Sequence, residues 1–236
     1  MTMQNISKNI ARLKEEIALQ QKRLRRENEE ITLVGVTKTH SVEMVDFALS
    51  HGIRHIGENK VQEAMRKLPM LMQSYDGFHF IGHLQSNKIN QLLTLKPSLI
   101  HSIDSLHLAE KLHRALGRTN RTQEILIQVN VTGEESKSGV TFENARELIW
   151  KIASYSTLYV RGLMTIGKLH PDPEVSRPYF RQLKELFDEI KTEFPGNFDY
   201  LSMGMSHDWK IALEEGSNML RIGSGIFGKR DYGDDR

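Results

Sequence analysis

Lys38 is the residue best suited to covalent chemistry. It is the first charge after the run Ile31-Thr-Leu-Val-Gly-Val-Thr37, an apolar, β-branched stretch that reads as a buried strand. A lysine at such a strand end lies with its stem against apolar neighbours, where desolvation disfavours the ammonium and lowers its pKa. The neutral amine is the form that condenses with a carbonyl to give a Schiff base. A snorkelling lysine that merely ends a strand has the same local sequence, so the neighbouring chemistry has to decide.

The stretch Arg221-Ile-Gly-Ser-Gly-Ile-Phe-Gly228 is the second candidate. Backbone N–H groups approach a phosphate closely where no Cβ intervenes, and barrels commonly bind phosphate on the loops after strands 7 and 8. Two patterns inside it are decoys. Gly223-x-Gly225-x-x-Gly228 matches a dinucleotide fingerprint, but the eight residues after Gly228 cannot supply the βαβ unit it requires. Gly223-x4-Gly228-Lys229 nearly matches a Walker A loop, but Arg230 stands where Ser or Thr is needed. Upstream, Leu201-Ser-Met-Gly-Met-Ser-His-Asp208 offers Ser202 and Ser206 as hydroxyl donors to a phosphate. In the same stretch Asp208 reads as the cap of a following helix, and His207 as an exposed polar residue. Three more polar stretches follow apolar runs: Gly57-Glu-Asn-Lys-Val-Gln-Glu63, Gly82-His-Leu-Gln-Ser-Asn-Lys88 and Gly133-Glu-Glu-Ser-Lys-Ser-Gly139. Asn59 and Ser86 fit there as helix caps. The ten histidines are scattered and show no metal-ligand spacing.

All these residues fall at the ends of apolar runs, and the runs are regular. A first helix carries Ile6, Ile10, Leu13, Ile17 and Leu24 on one stripe and closes on the basic cluster Lys22, Arg23, Arg25 and Arg26. Strand-like runs then alternate with amphipathic segments eight times: Ile31–Thr37, Ile53–Gly57, Phe78–Gly82, Leu99–Ile103, Ile125–Val131, Val160–Ile166, Tyr200–Met205 and Met219–Gly223. The clearest helix between them spaces Phe180, Leu183, Phe187, Ile190 and Phe194 by threes and fours. Eight such units predict an α/β fold, a single (β/α)8 TIM barrel with an extra N-terminal helix, over an open doubly wound sheet. No Pro/Ser-rich linker divides the chain, so residues 1–236 are expected to form one domain. In either fold, chemistry belongs at the strand C-terminal ends.

Composition narrows the class. The 32 basic and 30 acidic residues are interspersed, without the clustered charge of a nucleic-acid binder. There are no cysteines, which excludes disulfides, a Cys-based zinc site and thiol catalysis. The N-terminus lacks a signal-peptide core, and no apolar run approaches the roughly 20 residues of a membrane span. A cytoplasmic location is expected, with no nucleic-acid or membrane partner.

Taken together, the segments Val34-Gly-Val-Thr-Lys38, Gly57-Glu-Asn-Lys-Val-Gln-Glu63, His79-Phe-Ile-Gly-His-Leu-Gln-Ser-Asn-Lys88, Ser136-Lys-Ser-Gly139, Arg161-Gly-Leu-Met164, Leu201-Ser-Met-Gly-Met-Ser206 and Arg221-Ile-Gly223 resemble the pyridoxal phosphate (PLP) homeostasis family of alanine-racemase-like barrels. The resemblance runs over nearly the whole chain. It departs at Lys60, where an aromatic is frequent, and at His83, where another residue is common. It implies that Lys38 carries PLP as a Schiff base, that Arg221 faces the pyridine nitrogen, and that Gly223, Ser224, Ser202 and Ser206 hold the phosphate. Asn59 joins the implied cofactor contacts at the same barrel face.

PLP is a strong electron sink only with its ring nitrogen protonated, and enzymes that exploit this place an acid there. An arginine cannot give up its proton, so a nitrogen facing Arg221 is expected to stay unprotonated and the sink weak. Racemases on similar barrels add a tyrosine base from a second domain; the chain has no residues left for one, and none of Tyr75, Tyr155, Tyr159, Tyr179, Tyr200 or Tyr232 is an obvious equivalent. The expectation is a monomeric PLP reservoir or carrier, not an enzyme, with apo forms of PLP-dependent enzymes as candidate acceptors. The alternatives are an amino-acid racemase of weak or narrow activity and a PLP-independent Schiff-base aldolase.

Overall fold

Short runs of β-branched and apolar residues, buried on both faces, make the centre of the molecule. The computed structural model describes residues 3–228; Lys229, Arg230 and Tyr232 lie outside the described residues. Nine strands are present among these: β1 (Thr32–Val36), β2 (His55–Glu58), β3 (Gly77–Phe80), β4 (Leu99–Ile103), β5 (Gln123–Asn130), β6 (Val140–Thr141), β7 (Leu158–Met164), β8 (Tyr200–Ser202) and β9 (Met219–Ile222). They are hydrogen-bonded in the order β4-β3-β2-β1-β9-β8-β7-β5-β6, and β4 also pairs with β5. That last pairing closes eight parallel strands into a TIM barrel and excludes the open sheet. The two-residue β6 sits outside the ring against β5 and has no counterpart among the expected strands.

Period-2 alternation sorts the side chains. Val34, Leu99, Leu126, Met164 and Met219 form a small apolar cluster of their own inside the ring. The alternate positions, such as Ile56, Ile100, Ile125, Ile127 and Leu220, join the much larger cluster between strands and helices. One position has no room for a side chain. Gly162 on β7 has φ +148°, and a Cβ there would lie 1.8 Å from the Tyr200 carbonyl oxygen on β8, so the closest strand contact in the wall depends on glycine.

The outer layer is α1 (Met3–Arg23), α2 (Val42–Ser50), α3 (Val61–Lys67), α4 (Ile89–Thr94), α5 (Leu106–Gly117), α6 (Phe142–Ala153), α7 (Arg177–Glu193), α8 (Trp209–Glu214) and α9 (Ser224–Phe227). The extra helix α1 buries Ile6, Ile10, Leu13 and Ile17 as expected. Leu24 lies beyond its end, as do Arg25 and Arg26. Arg26 is not a helix-end cation: it donates to the carbonyls of Leu213 (2.5 Å) and Ser217 (3.1 Å). Asn9 of α1 donates to the carbonyl of Ile226 in α9 at 3.0 Å, which ties the first helix to the last. No helix among the described residues is long and apolar enough to cross a membrane.

Candidate functional site

Lys38 follows β1 by two residues and is half-buried. It shares strand parity with Val34 and Val36, so the alternation that turns Val34 inward also turns Lys38 toward the barrel mouth. The backbone there is clamped from behind. Lys67 of α3 donates to the carbonyl of Thr37 (2.7 Å), to Glu58 Oε1 (2.7 Å) and to Glu63 Oε1 (2.8 Å). The Thr37 hydroxyl donates to the same Glu58 oxygen at 2.6 Å. Just past the lysine, Thr39 adopts φ +67°, a left-handed conformation that is costly for a β-branched residue. Its N–H donates to Glu63. Glu58 is fully buried, and its Oε2 has no partner. Burial pushes its carboxyl above the usual range, against the hydrogen bonds from Lys67 and Thr37.

Removing the ammonium from this clamp leaves a buried carboxylate uncompensated. Lys67→Met is expected to destabilise the protein by about 3–5 kcal/mol at neutral pH, measured by urea unfolding. Adding Glu58→Gln should recover most of that loss. A change under about 1 kcal/mol would contradict a structural role for the pair.

The barrel interior behind Lys38 is polar on one side. Arg221 of β9 is 4% exposed and donates to Ser202 Oγ (2.6 Å) and to the carbonyl of Thr165 (2.7 Å). Burial lowers its pKa to about 10, which leaves it a cation at neutral pH. Ser202 also meets His101 Nδ1 at 3.1 Å; His101 meets His79, and His79 meets His55.

The third part is the glycine loop. Gly223 follows β9 and Ser224 begins the one-turn helix α9. Gly223 has φ −105°, so its backbone does not demand glycine. A Cβ built there would meet nothing nearer than the Val36 Cβ at 3.5 Å. The loop is braced by Ser206, whose Oγ accepts from Gly225 N at 3.0 Å. His40, two residues after Lys38, stacks on Phe227 of α9 with ring centroids 4.4 Å apart.

The structure thus brings Lys38, Arg221, Gly223, Ser224 and Ser206 to one end of the barrel. Asn59 follows β2 directly at the same face, its backbone packed against Gly82, where a Cβ would lie 2.1 Å from the Asn59 carbonyl oxygen. Ser202 is placed differently from expectation: its hydroxyl serves Arg221 and His101 rather than the glycine loop. Three expected caps are corrected. Lys60, not Asn59, precedes α3, without a side-chain cap bond. Ser86 accepts from Lys111 Nζ at 3.1 Å. Asp208 precedes α8, but its carboxylate turns back to accept from Met205 N at 2.7 Å. His207 is exposed, as expected. No group of three or more His, Asp or Glu residues among those described is placed to hold a metal.

Sequence reasoning missed Lys67 and the three linked histidines. A signal for the latter existed: His55, His79 and His101 each fall within a strand candidate, 24 and 22 residues apart, close to the length of one strand–helix unit.

Comparison with known proteins identifies the family. Residues 4–231 match the family model described as the alanine racemase N-terminal domain. The chain is 40% identical over 200 residues to a pyridoxal phosphate homeostasis protein of Aquifex aeolicus (85% of this chain, 87% of the relative). It is 38% identical over 235 residues to the protein of that name in Escherichia coli strain K12 (98% and 99%). The structure of PipY from Synechococcus elongatus PCC7942 with PLP bound superposes with a TM-score of 0.81 at 30% identity, covering 94% of this chain and 100% of that one.

Proposed function

The chain belongs to the alanine racemase N-terminal-domain family, among the pyridoxal phosphate homeostasis proteins, and on that premise we propose that it binds pyridoxal 5′-phosphate as a Schiff base on Lys38 and serves as a reservoir or carrier of that cofactor inside the cell. The observation that carries this reading is the placement of Lys38 at the mouth with the buried cation Arg221 behind it, two residues before a glycine loop whose Gly223 faces Val36 no closer than ordinary contact. Named relatives support it, and so does the PLP-bound PipY structure.

The donor set fits the group. When bound, PLP supplies an electrophilic aldehyde and an electron-withdrawing ring. Lys38 provides the amine that condenses with the aldehyde. Arg221 offers only N–H donors, so it suits a ring nitrogen that accepts a hydrogen bond and stays unprotonated. Gly223, Ser224 and Ser206 would take the phosphate, and Asn59 the mouth. Ser202 acts one step behind, holding Arg221. A ring kept unprotonated withdraws electrons weakly, which suits storage over transformation of amino acids. In this reading the protein works as one barrel domain over residues 1–236, as a cytoplasmic monomer, with apo PLP-dependent enzymes as acceptors.

The test is borohydride reduction of PLP-loaded protein followed by peptide mapping. Pyridoxyl is expected on Lys38; finding it chiefly on Lys88 or Lys137 would overturn the assignment. Steady-state assays with L- and D-amino acids complete it, since turnover in the usual range of roughly 1–1000 per second would make the protein an enzyme.

Gly223→Val is expected to fold normally yet bind PLP at least about tenfold more weakly (roughly 1.4 kcal/mol), because the side chain would fill the space left for the phosphate. Inorganic phosphate should compete with PLP for the unmodified apoprotein. Unchanged affinity in the variant would move the cradle elsewhere.

A further inference from the structure

Three neighbouring strands each turn one imidazole into the barrel. His55 Nδ1 lies 3.0 Å from His79 Nε2, and His79 Nδ1 lies 2.9 Å from His101 Nε2. Both ring pairs have centroids 5.1 Å apart and planes at 71°. His101 Nδ1 meets Ser202 Oγ at 3.1 Å, and Ser202 Oγ accepts from Arg221 at 2.6 Å. The column therefore runs without a break from half-buried His55, at the start of β2, to the guanidinium. His79 is 3% exposed and His101 not at all. Gly77 makes room for it: a Cβ there would sit 2.7 Å from His55 Nδ1 and 3.1 Å from His79 Nε2.

The charge of Arg221 gives this column a direction. Arginine has only hydrogens to offer, so the Ser202 oxygen accepts from it, and the serine's own hydrogen points to His101 Nδ1. A neutral imidazole has one donor and one acceptor nitrogen. His101 must then carry its proton on Nε2 and donate to His79 Nδ1. His79 in turn donates from Nε2 to His55 Nδ1, and His55 presents its Nε2–H to the barrel floor. Reversing the chain would aim both Arg221 and His101 hydrogens at Ser202, whose hydroxyl would lose its acceptor.

Burial favours neutral rings along the column. At His55 burial outweighs the carboxylates Asp76 and Glu30, which favour the charged ring, while Arg54 opposes it. His79 lies between the other two imidazoles. His101 lies between His79 and the Arg221 cation, and Asp208 is the carboxylate whose field reaches Arg221.

We propose that His55, His79, His101 and Ser202 form a one-way hydrogen-bond relay that latches the Arg221 guanidinium in place beneath the cofactor ring, its direction set by the arginine and its far end at the barrel floor. His79 and His101 are positioning residues. The role assigned to the ring rests on the function proposed above; the latch itself is a property of the apoprotein.

The experiment uses apoprotein labelled with 15N in histidine and arginine. At pH 7, His79 and His101 should be neutral with the proton on Nε2, and the Arg221 side-chain N–H signals should exchange slowly. In His101→Leu, exchange at Arg221 should speed up on the order of tenfold or more. In His101→Gln, whose amide can accept from Ser202 and donate to His79, exchange should stay within about threefold of wild type. If the leucine variant does not fold, Gly77→Ala reads the relay from its other end, and His79 should lose its single tautomer. Protons on Nδ1, charged rings, or unchanged Arg221 exchange in the leucine variant would each overturn the relay. So would a glutamine variant that melts like wild type but exchanges like leucine. PLP titration separates the two readings: ordered tautomers in a protein that takes up no PLP leave the latch standing and remove the cofactor.

Discussion

Lys38→Ala is expected to give a folded protein that no longer retains PLP through a reducible linkage. The side chain is half-buried two residues past β1 and contributes to neither apolar cluster, so truncation removes no core and should cost about 1 kcal/mol or less. Retention after gel filtration should fall at least about 100-fold, equivalent to roughly 2.7 kcal/mol, because the remaining contacts hold only a dissociable ligand. Lys38→Arg sharpens the test: it keeps the charge but cannot form the linkage, and it should lose retention equally. Wild-type retention in either variant would show that another amine carries the cofactor, with the clamp of Lys67, Glu58 and Glu63 then serving the barrel alone.

The second large effect is on acid stability. Burial, with His55 alongside, pushes the pKa of His79 down to about 3. Burial also pushes His101 well below the ordinary value, with His79 and Arg221 adding to it. In the unfolded chain both rings take up protons near pH 6.5. Below that pH the unfolded state binds more protons than the folded state, so stability falls as pH falls. Each histidine contributes a slope of roughly 1.4 kcal/mol per pH unit, and the two together about 2.7. Glu58 runs the other way: with its folded pKa raised, the native state takes up that proton first and offsets part of the loss above the ordinary carboxylate range. From pH 6.5 to 4.5 His79 alone removes about 2–3 kcal/mol, and His101 adds to the loss in the same direction, against a total of about 5–15 kcal/mol for an ordinary domain. Urea midpoints measured across this range should show it, and His101→Gln should reduce the slope by about half. A flat profile between pH 6.5 and 4.5 would mean that the rings are hydrated or charged in the native state.

Much of this was legible in the amino-acid sequence, for definite reasons. All eight barrel strands were visible because strands buried on both faces concentrate β-branched and apolar residues into short runs, as at Ile125–Val131. The position of Lys38 followed from the run before it. Closure was not readable in the same way, since it depends on β4 pairing with β5, which no local pattern encodes. The strand-end caps failed because a short polar side chain has several backbone groups within reach. Asp208 could have capped α8 and instead satisfies Met205 N. Along the chain the histidines look scattered and match no metal-ligand spacing, because their order exists only across strands. The sequence singles out Ser202 at its strand end but not its partner, because nothing in it shows which side of a buried serine the arginine approaches.

The bond from Asn9 to the carbonyl of Ile226 spans 217 residues, which matters while the chain is being made. Synthesis proceeds from the N-terminus at roughly 5–20 residues per second, so α1 emerges long before the helix it will rest on. Until β9 and α9 leave the ribosome, Ile6 and Ile10 lack part of their covering surface and the ring of strands lacks the member that joins β8 to β1. The glycine loop and its one-turn helix are thus the keystone of assembly as well as the proposed cradle for phosphate. A nascent chain would hold all its other strands and still have no finished site, so the capacity to capture a reactive aldehyde would arise only with the completed barrel.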